Sequence, residues 1–207
     1  MIKTNNACKK CRRAGQKLFL KGDKCLSPKC PLTRRSYPPG QHGQSKFRLT
    51  EYARQLREKQ KAAQIYGISH KQFFKYYQKS QAKKGMTNLT LMRFLELRLD
   101  NIIFRLGLAD SRNQAKSIIR DGHIRVNGKK ISFPSYQVKV GDKIEIKDPS
   151  LIKQLFLDKK ESLKKIKVSG WLKLTPDKFR GELLRLPERN EIDTSVDEHI
   201  ILEYFAR

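Results

Sequence analysis

The chain has no cysteine outside one short stretch. All four of its thiols, Cys8, Cys11, Cys25 and Cys30, fall in CKKCRRAGQKLFLKGDKCLSPKC, and residues 31–207 contain none. Long apolar runs are missing as well. No stretch approaches the roughly 20 residues that a transmembrane helix needs, and the opening MIKTNNACKK has no apolar signal core. The expectation is a cytoplasmic chain whose thiols stay reduced, so disulfides are not expected. Acidic residues are scarce at the front, where residues 1–86 hold 3 against 22 basic ones. Apolar residues make up only 38%, short of the usual ~45–50%, a range that also counts glycine. Part of the chain is therefore expected to fold fully only against a partner. Catalytic signatures are absent too. There is no GxxxxGK followed by Ser or Thr, no GxGxxG, no HExxH and no GxSxG. His42, His70, His123 and His199 are scattered and pair with no carboxylate motif. Nothing here points to an enzyme.

What the chain does hold is positive charge. It has 46 Lys and Arg against 20 Asp and Glu over 207 residues, a net charge of +26 and a pI near 10.1. Self-repulsion on that scale works against a compact state unless a polyanion offsets it. RNA, DNA and an anionic membrane surface are the three polyanions that qualify. The aromatics do not line up opposite the lysines along one long amphipathic helix, which disfavours the membrane. The length suits one or two domains.

The cysteine spacing is C-x2-C-x13-C-x4-C. A C-x2-C turn presents two thiolates to one point, and Cys25 with Cys30 completes a four-sulfur shell of the structural zinc type. Gly22-Asp23 and Ser27-Pro28 supply turn chemistry, and the basic neighbours favour thiolate. One zinc ion is expected to supply folding free energy to a basic module too poor in apolar residues to build a core. A DNA-reading zinc finger would carry a base-reading helix after the cysteines. Here an irregular basic arm follows instead, PLTRRSYPPGQHGQSKFR, broken by Pro38-Pro39-Gly40 and Gly43.

Periodicity organises the rest. Residues 50–66 read as a helix with Tyr52, Leu56, Ala63 and Tyr66 inward. Ser69 to Gln72 is a capping-box pattern that opens a second helix, whose Phe73, Phe74, Tyr76 and Tyr77 read as core rather than as RNA-stacking platforms. One helix is expected over 89–106, with Leu95, Leu99, Ile102, Ile103 and Leu106 on its inner face and Gly107 at its end. Ser111 to Gln114 is a second capping box. The short helix after it buries Ala115, Ile118 and Ile119, and it presents Arg112, Lys116 and Arg120 as a stripe without acidic i+4 partners, which favours an anion-facing role over a solvated face. HIRVNGKKI is a hairpin about Asn127-Gly128. YQVKVGDKIEI alternates, with Val138, Val140, Ile144 and Ile146 on the apolar side. Thr175-Pro176 reads as the start of a short helix, LRLPERNEID as loop, and EHIILEYFAR as a last helix after Asp197. The acidic run Glu188, Glu191, Asp193, Asp197, Glu198 suits either a basic protein neighbour or a solvated tail.

The stretch RLGLADSRNQAKSIIRDGHIRVNGKKI resembles the RNA-binding helix-helix-hairpin domain found in ribosomal protein S4, pseudouridine synthases, tyrosyl-tRNA synthetases and heat-shock RNA-binding proteins. PPGQHG, YGISHKQFFKYY, LRLPERNEID and ILEYFAR resemble the small-subunit ribosomal protein S4 family itself, and the four-cysteine start looks like its zinc-bearing bacterial variant. The likeness is collinear over essentially the whole chain and leaves no room for a synthase or synthetase domain. It implies an α+β fold, mostly helical, with a basic zinc-bearing arm at 1–48. A helical domain at 49–94 is completed by 165–207 and interrupted by an inserted RNA-binding domain at 95–164, which has a small antiparallel sheet.

The implied function is that of a structural, non-enzymatic primary binder of small-subunit rRNA. It would hold a multi-helix junction of the 5′ domain and nucleate assembly. The implied partners are that rRNA, ribosomal protein S5 and mRNA at the channel through which it enters the subunit, with roles in decoding accuracy, mRNA unwinding and repression of the protein's own mRNA. No DNA, no membrane and no homo-oligomer are expected. The metal ligands would be Cys8, Cys11, Cys25 and Cys30. The RNA contacts would be Lys9, Lys10, Arg12, Arg13, Arg34, Arg35, His42, Lys46, Arg48, Arg54, Arg57, Lys71, Lys83 and Lys84 toward the front, and Arg112, Lys116, Arg120, Lys129 and Lys130 in the inserted domain. Glu188, Glu191 and Asp193 would face the protein neighbour.

Overall fold

The computed structural model describes residues 6–45, 48–83, 85–146, 163, 168–176 and 179–206. Two compact units divide the chain: Met1–Leu91 with Thr194–Arg207, and Met92–Asp193. The division differs from the expected limits. Only the last stretch of the C-terminal segment returns to the first unit, because Leu172–Thr175 and Arg180–Leu183 pair into the sheet of the second.

In the first unit the helices are α1 (Ala7–Ala14), α2 (Pro31–Arg34), α3 (Glu51–Ile65), α4 (His70–Gln81) and, from the far end of the chain, α8 (Glu198–Ala206). Local chemistry sets the starts. Thr50 Oγ1 accepts the Ala53 amide at 3.3 Å, and Ser69 Oγ accepts the Gln72 amide at 3.3 Å, each answering one of the orphan donors of a first turn. The inward face of α3 is turned one residue from the expected one. Tyr66, just past the helix end, is buried as expected, but within the helix Gln55, Lys59, Ala62 and Ile65 are buried, while Tyr52 is half exposed and Leu56 and Ala63 only partly covered. The cause is α8, which packs along α3. It accepts Gln55 Nε2 at Glu203 and places the Tyr204 ring 4.3 Å from Lys59 Nζ. The α4 aromatics are core, as expected, except Phe74, which stays partly exposed. Phe205 of α8 stacks on Tyr77 with ring centres 4.7 Å apart and meets Phe73 edge-on at 5.6 Å.

Helix α5 (Thr87–Glu96) leads into the second unit. There α6 (Leu99–Arg105) and α7 (Arg112–Arg120) pack together beside five strands, β1 (Ile124–Val126), β2 (Lys129–Lys130), β3 (Lys143–Ile146), β4 (Leu172–Thr175) and β5 (Arg180–Leu183). Their order is β2-β1-β3-β5-β4, antiparallel throughout. The single helix expected over 89–106 is broken at Leu97-Arg98. Arg98 is extended, Leu97 O accepts the Val138 amide at 2.9 Å, and Leu99 N donates to Tyr136 O at 2.9 Å. The chain leaves the helix to pair with 136–138, then resumes it. Leu95, Leu99, Ile102, Ile103 and Leu106 remain fully buried across the break, so the apolar period conceals it. The core closes with Ala115, Ile119, Ile124, Val126, Ile144, Trp171, Leu172 and Leu183, while Ile118 packs on its margin.

The hairpin sits where expected. Asn127 and Gly128 both take positive φ, 50° and 78°, the primed geometry that matches strand twist. Asn127 Nδ2 donates to Asp142 at 2.8 Å and its Oδ1 accepts the Lys143 amide at 2.9 Å, tying the turn to β3. Two expectations fail here. Val140 is half exposed rather than inward, because Gly141 turns the chain just before β3. Thr175 ends β4 instead of capping a helix, held by its pairing with Arg180. Residue 181 is glycine because a Cβ there would stand 2.3 Å from Leu106 Cδ1.

Candidate nucleic-acid interface

The first unit carries 23 basic and 6 acidic residues and the second 23 and 14, so each holds its own excess of cations. In the first unit, Lys9, Arg13, Arg34, Arg35, His42, Arg48, Arg54, Arg57, Lys71 and Lys83 are exposed, with Lys10 half-buried. Lys46 and Lys84 lie outside the described residues. Arg12 differs from its neighbours. Its Nε donates to Tyr37 O at 3.0 Å, an η-nitrogen donates to Pro38 O at 3.3 Å, and the guanidinium lies 4.9 Å over the Tyr37 ring. Arg12 therefore clamps the Pro/Gly arm onto α1.

That clamp builds a concave site. Arg13 from α1, Arg57 from α3 and the arm from Pro38 to Gly43 line one cavity of about 500 Å³. The arm folds back on itself where Gly43 meets Pro38. A Cβ on Gly43 would lie 2.0 Å from Pro38 O, so only glycine closes this loop.

The four thiols also converge. Cys11, Cys25 and Cys30 are buried and Cys8 half-buried. All four line one small cavity of about 10 Å³ together with Lys21 and Leu20, roughly the space of a single water-sized particle. Burial pushes the Cys11 thiol above its ordinary value. The Leu18 amide opposes this, and the other three sulfurs push it further up. Lys21 N donates to Cys25 Sγ at 3.4 Å. Among the described residues, no group of three or more His, Cys, Asp or Glu side chains stands set to hold a metal ion. Four cysteines are the residue type and number that a structural zinc takes, and all four line the same small cavity.

In the second unit the α7 stripe is built into a buried polar network. Glu96 is fully buried. Its carboxylate accepts two bonds from Arg105, at 3.1 and 3.2 Å, and one from Asn101 Nδ2 at 2.7 Å. Asn101 Oδ1 in turn accepts Arg112 Nε at 2.7 Å, and the Arg112 guanidinium lies 4.4 Å over the Phe104 ring. Asp100 pairs with Arg98 at 2.8 Å and with Lys116 at 3.5 Å. Burial holds the Lys116 ammonium below its ordinary value, with Asp100 opposing that shift.

The acid partner of Lys116 thus comes from α6, not from its own helix, which spacing along α7 could not reveal. Arg120, Lys129 and Lys130 are exposed. The Lys130 chain lies across Gly122, where a Cβ would meet its Cε at 2.2 Å, so the hairpin cation sits beside the end of α7. Spacing also missed Asn101 and Phe104, which orient Arg112. The signal available was the polar pair Asp100-Asn101 inside an otherwise apolar helix. Of the acidic set, Glu188 and Asp193 are exposed, and Glu191 is tied by two bonds to Arg185, at 2.5 and 2.8 Å, and by the Glu188 amide at 3.1 Å. The Arg185 hydrogen bonds hold the Glu191 carboxyl below its usual range.

Two sets of cations on two units, one around a concave loop and one on a helix and hairpin, define a protein built to grip a polyanion. Residues 3–96 match the family described as ribosomal protein S4/S9 N-terminal domain, and residues 97–144 match the S4 domain. The chain is 47% identical over 204 residues to the small ribosomal subunit protein uS4 of Pelotomaculum thermopropionicum, covering 99% of this chain and 98% of that one. It is 46% identical over 201 residues to uS4 of Thermus thermophilus, covering 97% and 96%. It is 46% identical over 208 residues to uS4A of Symbiobacterium thermophilum, covering 99% and 98%. The chain belongs to the ribosomal protein S4 family. It is an RNA-binding, structural protein of the small ribosomal subunit, at work in translation in the cytoplasm, and not an enzyme.

Proposed function

We propose that this chain is a primary rRNA binder that holds a multi-helix junction in the 5′ domain of small-subunit rRNA and so nucleates assembly of the subunit. The observation that carries the reading is the presence of a separate cationic surface on each unit. Phosphate neutralisation by Lys and Arg is not specific by itself. About eight contacts give a log–log salt slope near −6 to −7 and cost roughly four decades of affinity between 50 and 200 mM salt. Specificity comes from shape, since a junction presents several backbones in one arrangement. Two tethered footholds raise affinity through effective concentration.

In the first unit, Arg13, Arg34, Arg35, His42, Arg48, Arg54, Arg57, Lys71 and Lys83 meet phosphates, with Lys9 and Lys10 beside them. Arginine suits bidentate contact. In the second unit, Arg112, Arg120, Lys129 and Lys130 grip another helix, and the buried network keeps Arg112 in place. One zinc ion, held by Cys8, Cys11, Cys25 and Cys30, would supply the folding free energy of the arm.

The reading extends to ribosomal protein S5 as neighbour, met at the exposed Glu188 and Asp193. It also extends to mRNA where it enters the subunit, with effects on decoding accuracy, mRNA unwinding and autogenous repression. The test is binding of the full chain to the 5′-domain junction RNA and to a plain duplex of equal length at physiological salt. A junction preference of a hundredfold or more is expected. Equal binding with equal salt slopes would remove the junction from the account.

A further inference from the structure

We propose that the cavity between α1, α3 and the Pro/Gly arm seats a single unpaired nucleotide of the bound RNA. This rests on the RNA-binding reading above and adds a way of reading a base to a surface otherwise described by phosphates and shape. Three observations carry it.

The first is size. The cavity measures about 500 Å³, far more than a phosphate fills, and within the roughly 300–1,000 Å³ of pockets that take a small organic ligand. The second is charge. Arg13 and Arg57 reach the cavity from two different helices, and neither has an ion-pair partner among the described residues. Arg12, one position away, is fully committed to the arm. Two open guanidiniums at one cavity suit the phosphates on either side of one nucleotide. The third is the lining. Pro38, Pro39 and His42 line the same cavity as these cations, which joins apolar surface and one planar, hydrogen-bonding ring to two planar guanidiniums. A base out of its stack is recognised by such surfaces, stacked on planar groups and bonded at its edge. A base that is already unpaired enters at least cost. The loop is held open as a cradle: Arg12 pins it at Tyr37 and Pro38, and Gly43 lets it close without a side chain.

The experiment is amide NMR of the full chain, titrated separately with AMP, GMP, CMP, UMP and inorganic phosphate. At least one nucleotide is expected to shift the amides of Gly40, His42 and Gly43 saturably, at least tenfold more tightly than phosphate does. Gly43→Ala, which puts a methyl against Pro38 O, should abolish those shifts while the amides of α4 and α8 keep their positions. Arg57→Gln provides a second variant that leaves the loop backbone alone, and it should weaken the nucleotide at least tenfold. Equal binding of phosphate and all four nucleotides would reduce the cavity to a phosphate foothold and overturn the proposal. So would no saturable shift at all. Binding of the junction RNA by the same variants separates the two readings. A junction that still binds wild type a hundredfold better than duplex, with no nucleotide in the cavity, defeats only the base seat. Loss of junction preference in wild type defeats the wider reading.

Discussion

Replacing Arg105 with methionine is the change whose cost the structure specifies most closely. Glu96 is fully buried and Arg105 nearly so, with side-chain exposures of 0% and 13%. Arg105 gives the Glu96 carboxylate two hydrogen bonds, and Asn101 gives it another. Arg105→Met keeps much of the aliphatic packing but leaves the buried carboxylate without its guanidinium and the two bonds it gave. Removing one partner of a buried ion pair costs about 3–5 kcal/mol, a large share of the roughly 5–15 kcal/mol that holds a domain folded.

The loss should not stop at the pair. Asn101 also holds Arg112, so a shifted Glu96 loosens the helix that presents the cations. Trp171 is the only tryptophan and is buried in the core of this unit, so urea unfolding of the full chain followed by its fluorescence reports the second unit. A loss of about 3–5 kcal/mol is expected, and Glu96→Leu together with Arg105→Met should recover most of it, because a well-packed apolar pair often matches a buried ion pair. A loss below about 1 kcal/mol for Arg105→Met, the range of an exposed pair, would refute the reasoning. So would a double variant no better than the single.

Three further changes test other parts. Ile102→Ala, at a fully buried position in the same core, should cost about 2–5 kcal/mol by the same fluorescence assay. Lys59 is buried against Tyr204, and burial lowers its pKa from 10.5. The unfolded chain therefore binds more protons than the native one between the lowered value and the ordinary one, so the wild-type chain should gain stability as pH rises through that window. Lys59→Met should lack that gain, as measured by thermal melts at pH 7 and pH 10 followed at 222 nm. Chelation of the proposed zinc should melt the cysteine module, seen as loss of protection of the α1 amides in hydrogen exchange, while α4 and β3 amides keep theirs. Unchanged α1 protection after complete thiol release would exclude a metal staple.

What was legible in the sequence is what local chemistry decides. Ser69 and Ser111 cap helices through an amide three residues on, and Asn127-Gly128 makes its turn by its own dihedral freedom. Those features need no distant partner. What was not legible depends on one. The break at Arg98 exists because residues 136–138 pair there, and the apolar period runs through it unchanged. Thr175 became strand because Arg180 lies opposite. The rotation of α3 awaited α8, and the C-terminal boundary awaited the pairing of β5 with β3.

The same division runs through the candidate site. Sequence pattern picked out the α7 stripe and the four thiols. Only the fold separates Arg12, which holds the arm, from Arg13, which faces a cavity. Only the fold shows Lys116 occupied by Asp100 and Glu191 by Arg185. Charge counted along a chain does not say which cations the protein itself uses.

The most direct test of the central claim is hydroxyl-radical footprinting of isolated 5′-domain rRNA with this chain alone, at physiological salt. The account predicts protection concentrated on the strands that meet at one multi-helix junction, formed without any other ribosomal protein. Protection spread evenly along helices, or protection that needs another protein already bound, would contradict it.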